Sequence, residues 1–326
     1  MLPKRPLHAV VLCLCFAGAG ASALAQTAPS APPIAPAAAP GVEQGPAQTP
    51  GAPPSPDHSS APVNTPPAPT MAPAPSASSS APTPSQPAAA PIAGPVHNIV
   101  LVHGAFVDGS SWNGVVAKLQ HKGYHVSSVQ NPLTSLADDV AATRRVLARE
   151  DGPVLLVGHS WGGVVITEVA ANAPNVVGLV YVAALAPQLH ESAMDVMKAG
   201  GPMPAGQSIN KDANGFLWLD RARYRADLAA DVPEMVTRVL AAAQVPIAAK
   251  AFDEPVDQIG WKDKPSWYVL TTQDRAVSPA LQKTIAERIG AKVVPVASSH
   301  LAPVSHAGAV ADAIDHAARE LSRLQQ

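Results

Sequence analysis

The chain has 326 residues and a formal net charge of −2, so it carries no basic excess with which to neutralise nucleic-acid phosphates. Its composition is uneven: 21 of its 36 prolines fall within residues 26–95, a stretch without Lys or Arg whose only carboxylates are Glu43 and Asp57. Residues 96–326 have an ordinary globular composition and are numerous enough for one well-buried core.

Residues 1–25 have the three parts of a secretory signal. Lys4 and Arg5 supply positive charge, residues 9–19 form a short apolar core, and Ala23-Leu24-Ala25 fits a cleavage site before Gln26. This predicts export to the periplasm or the medium. The alternative is an uncleaved anchor, which needs about 20 strongly apolar residues, whereas this stretch dilutes early into Gly, Ala and Ser. Both cysteines, Cys13 and Cys15, lie inside the signal. The mature chain would therefore hold no disulfide, thiolate metal site or cysteine nucleophile.

Residues 26–95 have no periodic apolar face and cannot offset the entropy of ordering by burying surface. Their prolines favour extended polyproline II, at about 3.1 Å per residue. Two readings stay open: a spacer that associates the domain with the cell envelope, or a dispensable disordered leader.

From Val96 onward, short apolar strands alternate with helical stretches. The pattern predicts a strand at Asn98–Val102, a helix capped by Ser111 that stops near Gly123, and a second strand at His125–Val129. Ser135 caps the next helix, with Leu136, Val140 and Leu147 at helical spacing. A third strand over 154–157 leads to a helix from Trp161, and a fourth strand covers 176–184. Beyond residue 265 come a strand at 267–270, a helix over 279–289, a strand at Lys292–Val296 and a last helix over 303–324. Six strands alternating with helices predict an α/β fold with a mainly parallel sheet covered on both faces. Residues 187–265 interrupt the alternation with weak helical patterns such as 235–243 and no clear strand. They are too many for a plain loop. They read either as a helical cap over the site or as a peripheral helical pack, and their departure from the carboxyl end of a parallel strand favours the cap.

Gly158-His159-Ser160-Trp161-Gly162 lies between the third strand and its helix, the context in which a Gly-x-Ser-x-Gly run presents a nucleophile. A tight strand-to-helix turn projects the Ser160 hydroxyl outward, and the helix start leaves free N–H groups beside it for a developing oxyanion. A serine hydroxyl needs a neutral histidine to take its proton. His300, in the loop after the last strand, lies at the same carboxyl edge as Ser160; His306 is the second choice. Asp274 ends the strand over 267–270 at that edge and can orient the imidazole. The oxyanion donors are expected to be the backbone N–H groups of Trp161 and Ala105. Phe106, Trp161, Leu185, Phe216 and Trp218 are candidates to line an apolar acyl or alcohol pocket.

With these residues in view, the domain resembles the α/β-hydrolase superfamily and, more narrowly, the branch of plant methyl esterases, salicylate-binding esterases and hydroxynitrile lyases. The resemblance is carried by residues 100–105, 109–112, 158–163, 268–274 and 299–300, in order along nearly the whole domain. It implies the α/β-hydrolase fold, a sheet lacking the first two strands of larger members, a helical cap, and neither metal nor organic cofactor. The lyases carry a lysine after the triad histidine and a threonine after the first-strand histidine. Here Leu301 and Gly104 stand at those positions, which favours ester hydrolysis. The expected function is a carboxylesterase cleaving small or medium esters through an acyl-enzyme. Lyase, amidase or lactonase chemistry on the same fold, or a non-catalytic binding module, are the alternatives.

Overall fold

Nearly continuous apolar runs make strands that must be covered on both faces. The computed structural model, which describes residues 94–324, assembles six strands into one parallel sheet, the inner ones buried and the two edge strands partly exposed. The signal at residues 1–25 and all of the linker but Gly94 and Pro95 lie outside the described residues. In chain order the first part comprises β1 (Asn98–Val102), α1 (Asn113–His121), β2 (His125–Val129), α2 (Leu136–Leu147), β3 (Val154–His159), α3 (Gly162–Ala170) and β4 (Val176–Val182). The insertion contains α4 (Ala193–Ala199), β5 (Ile209–Lys211), β6 (Phe216–Leu219), α5 (Tyr224–Leu228), α6 (Glu234–Ala243), β7 (Ile247–Ala248) and α7 (Ala249–Asp253). The chain closes with β8 (Ser266–Thr271), α8 (Pro279–Arg288), β9 (Lys292–Val296), α9 (Ala302–Ser305) and α10 (Ala307–Leu324).

The sheet order is β2-β1-β3-β4-β8-β9, all parallel. Successive side chains of a strand point to opposite faces. Ile99 and Leu101 therefore join Val115 and Leu119 of α1 and Val310 and Ile314 of α10 in one core. Val100 and Val102 join Val140 of α2 and Val165 and Val169 of α3 in the other. The expected α/β-hydrolase architecture is present: a six-stranded parallel sheet with helices on both faces.

Three local expectations change. Asp108, not Ser111, caps the first helical segment: its carboxylate accepts from the Ser110 N–H at 2.8 Å, and a single 3-10 turn then leads into α1. The last helix is broken at His306, whose backbone (φ −127°) separates α9 from α10. The insertion is not purely helical, since β5, β6 and β7 form a small antiparallel sheet. Strands of two to four residues are too short to show an alternating period.

The first turn of α3 packs against the carboxyl end of β1. A Cβ on Gly162 would lie 2.4 Å from the Val102 carbonyl oxygen, a backbone atom that cannot swing aside. Overpacking of this kind typically costs 1–3 kcal/mol. Gly162→Ala is expected to lose about 2–3 kcal/mol of stability, read as a lower urea midpoint with an unchanged slope.

Candidate active site

At the carboxyl end of β3 the chain turns sharply into α3, and Ser160 occupies the left-handed region at φ 53°. Such a conformation persists in a non-glycine residue only when its surroundings enforce it. Here the Ser160 N–H donates to Val182 O at 3.1 Å, while its carbonyl accepts from Gly163 N at 3.0 Å and Leu185 N at 3.2 Å. The loop after β1 passes so close that a Cβ on Gly104 would lie 2.8 Å from Ser160 Cβ.

The loops after β3, β8 and β9 bring three sequence-predicted residues together. His300 Nε2 lies 2.8 Å from Ser160 Oγ, and His300 Nδ1 lies 2.7 Å from Asp274 Oδ2. Both ring nitrogens thus have partners, and the Asp274 side chain is wholly buried. Asp274 is held from several sides. Its Oδ1 accepts from the N–H groups of Ala276 (2.8 Å) and Val277 (2.9 Å), and its Oδ2 from Thr271 Oγ1 (2.7 Å) and Gln282 Nε2 (2.9 Å). These donors offset the loss of hydration that a buried carboxylate incurs. His306, the second choice for the base, pairs instead with Asp231 at 3.3 Å.

The main-chain N–H groups of Ala105 and Trp161 have no protein acceptor among the described residues, and both residues line the cavity that contains Ser160. Two further histidines lie beside this hydrogen-bonded series without joining it. His103 accepts from the Asn131 N–H at Nε2 (2.9 Å), which leaves Nδ1–H to donate to Gly104 O (2.9 Å). That pair shapes the loop carrying Ala105. His159 Nε2 donates to His300 O at 3.0 Å, and the two rings lie 4.8 Å apart. Complete burial holds His159 well below the ordinary imidazole pKa, and the neighbouring His300 adds to that shift. It therefore steadies the His300 loop as a neutral ring.

The cavity is walled by apolar side chains. Of the candidate lining residues, Phe106, Trp161 and Leu185 border it, whereas Phe216 and Trp218 do not. Side chains alternate along β6, so Leu219 reaches the cavity while Trp218 turns to Asp212 (Nε1 to Oδ2, 3.0 Å). Phe252 of α7 supplies the aromatic wall instead, its ring 5.4 Å from that of Trp161. Leu301, directly after His300, is buried in the core and presents no charge to the site.

Two buried polar residues escaped the sequence reading, although each left a signal. Gln282 shares the inward face of α8 with Ile285 and Ala286. Asp139 sits on the stripe of α2 defined by Leu136, Val140 and Leu147. A polar residue at a core position of an amphipathic helix marks a buried partner. For Asp139 the partners are the Trp161 indole N–H (2.7 Å) and the Leu133 N–H (2.8 Å).

A family model described as the alpha/beta hydrolase family matches residues 99–313, and the chain belongs to that family. It is similar to a carbendazim-hydrolysing esterase of Nocardioides sp. (strain SG-4G), 35% identical over 128 residues, which are 34% of this chain and 52% of the relative. It is also similar to a pyrethroid hydrolase of Sphingobium wenxiniae, 36% identical over 104 residues, which are 28% of this chain and 36% of the relative. The chain thus matches about half or less of the length of these two curated relatives. Among solved structures, a methylesterase from Arabidopsis superposes with a TM-score of 0.58 at 18% identity, covering 69% of this chain and 100% of that one. At that identity the likeness is one of fold.

Burial pushes the Asp139 carboxyl up to about 6 from an ordinary 3.8, against the opposing pull of its two hydrogen bonds. A raised folded-state pKa means that the folded protein holds this proton more tightly than the unfolded chain. The resulting stability is present below pH ~4 and is lost as pH rises through about 6. Relative to the non-titrating Asp139→Asn variant, the wild type is expected to lose stability, by about 2–3 kcal/mol, between pH 4 and 7. Urea unfolding of both proteins across that range checks the trend.

Proposed function

We propose that the chain is a carboxylesterase that cleaves small or medium esters through an acyl-enzyme on Ser160. The observation that carries this reading is the continuous hydrogen-bonded series from Ser160 Oγ through His300 to the buried Asp274. In this scheme His300 Nε2 takes the Ser160 proton as Oγ attacks the ester carbonyl, and the Asp274 carboxylate faces the imidazolium that forms. The N–H groups of Ala105 and Trp161 receive the oxyanion. His300 then returns the proton to the leaving alcohol, and a second cycle with water releases the acid and regenerates Ser160.

Apolar side chains over most of the cavity support an uncharged substrate with an apolar acyl or alcohol group. The two curated relatives, an esterase and a pyrethroid hydrolase, support ester hydrolysis as the reaction class. The buried Leu301 supplies no ammonium beside the base, which favours hydrolysis over cyanohydrin cleavage. The charged, apolar and small-residue segments of residues 1–25 support export, so that the domain would act outside the cytoplasm.

A p-nitrophenyl ester series graded by acyl length, assayed with wild type and Ser160→Ala, tests the proposal. Turnover is expected to favour short and medium uncharged acyl groups, and Ser160→Ala to lose about 10⁴-fold or more in kcat. A fluorophosphonate probe should label the wild type at Ser160. Absence of both labelling and turnover would sink the enzyme reading.

A further inference from the structure

The insertion does more than wall the cavity. Within eight consecutive residues, 224–231, it bonds to each of the three loops that bring groups to Ser160. The buried Tyr224 donates its hydroxyl proton to Phe106 O at 2.9 Å. Phe106 directly follows the proposed oxyanion donor Ala105 and sits in the left-handed region at φ 62°, a conformation that needs an external hold.

Asp227, whose side chain is wholly buried, accepts from Arg275 Nη2 at 3.3 Å, and Arg275 directly follows Asp274. The same carboxylate accepts from Arg223 Nε (3.1 Å) and Nη2 (3.0 Å) and from Ser208 Oγ (2.7 Å), so its charge is fully met.

The residues on both sides of His300 are tied as well. Leu228 O accepts from Leu301 N at 3.2 Å and from Ser299 Oγ at 3.3 Å. The Asp231 carboxylate takes the Ser299 N–H at 3.1 Å, is bonded by the Ser299 hydroxyl, and faces His306 Nδ1 at 3.3 Å.

We propose that residues 224–231 form a strap that sets the triad geometry, with Asp231 the positioning residue for His300 and Tyr224 the positioning residue for the oxyanion loop. The insertion is thereby part of the catalytic scaffold. It is not a lid that lifts in each turnover, because lifting would break its bonds to all three loops at once: Tyr224 to Phe106, Arg275 to Asp227, and Ser299 and Leu301 to Asp231 and Leu228. The proposal rests on the reading of Ser160 and His300 as nucleophile and base. It predicts a particular kinetic signature. Tyr224 and Asp231 are not among the residues lining the cavity, so their loss should leave substrate binding intact. A displacement of about 1 Å at a reacting group can nevertheless cost on the order of 10²-fold in rate.

The test uses the full chain, a p-nitrophenyl ester and a fluorophosphonate probe. Asp231→Ala is expected to lower kcat by about 10- to 100-fold with KM within about twofold, and to slow probe labelling by a similar factor. Asp231→Asn keeps an oxygen that can accept from Ser299 and should recover most of that loss. Tyr224→Phe removes one hydrogen bond and no ring packing, and should lower kcat about tenfold, again with little change in KM. A folded Asp231→Ala with wild-type kcat and labelling rate overturns the proposal, as does a rise in KM at unchanged kcat. If Asp231→Ala does not fold, Tyr224→Phe decides, and an unchanged kcat there overturns it. Failure of the esterase reading is seen separately, as a wild type that neither labels nor turns over, and it overturns the strap with it.

Discussion

The turn at Ser160 holds a non-glycine residue at φ 53° because its backbone is bonded on both sides, to Val182 in β4 and to Gly163 and Leu185 beyond the turn. The loop after β1 closes over it within van der Waals contact, with room for no Cβ at Gly104. These constraints come from the interior of a parallel sheet, where strands are buried on both faces and their carboxyl ends converge on one edge. The remaining site residues reach Ser160 because β8 and β9 end at that edge in sheet order. Side chains 114 and 140 positions beyond Ser160 meet it there because β3, β4, β8 and β9 are paired in register.

The electrostatics of the site follow from which buried groups are satisfied. Asp274 receives donors from two backbone N–H groups, a threonine, a glutamine and the His300 ring, and this number of donors makes a buried carboxylate tolerable. Asp139 has two donors, and desolvation prevails, so its carboxyl titrates near 6. His159, enclosed beside His300, stays neutral and places no positive charge against that ring. For Asp139 and His159, burial outweighs the hydrogen bonds and favours the neutral form.

Much of this architecture was legible in the sequence, for a physical reason. The apolar run of β1 reports a fully buried strand, and the edge strands β2 and β9, only partly buried, also fall at their expected bounds. The strand-turn-helix context points to Ser160 and the strand ends to Asp274 and His300, three residues that the fold brings within hydrogen-bonding distance in series. Legibility ended in the insertion. Its strands are too short to show a period, so the sequence does not display which face of β6 meets the cavity: Phe216 and Trp218 share the face turned away from it, and Leu219 lies on the other. Phe216 and Trp218 are therefore only candidates from the sequence, and Phe252, in a five-residue helix, gives no sequence signal for the cavity that it lines. The bonds from Tyr224, Asp227 and Asp231 were invisible for a related reason, since their partners lie 48 to 118 positions away in loops.

Although 83 residues separate them, β4 and β8 are hydrogen-bonded neighbours in the sheet. The insertion therefore leaves and rejoins the sheet at adjacent points, and the strand pairing is indifferent to what lies between. For evolution this is a permissive arrangement, in which substrate preference can drift by exchange of the insertion while the chemistry of the edge stays in place. The contacts of residues 224–231 narrow that freedom. If the strap sets the site as proposed, an exchanged insertion has to deliver a hydroxyl to the Phe106 carbonyl and a carboxylate to Ser299, and the chimaeras that work will be those whose junctions preserve that short segment.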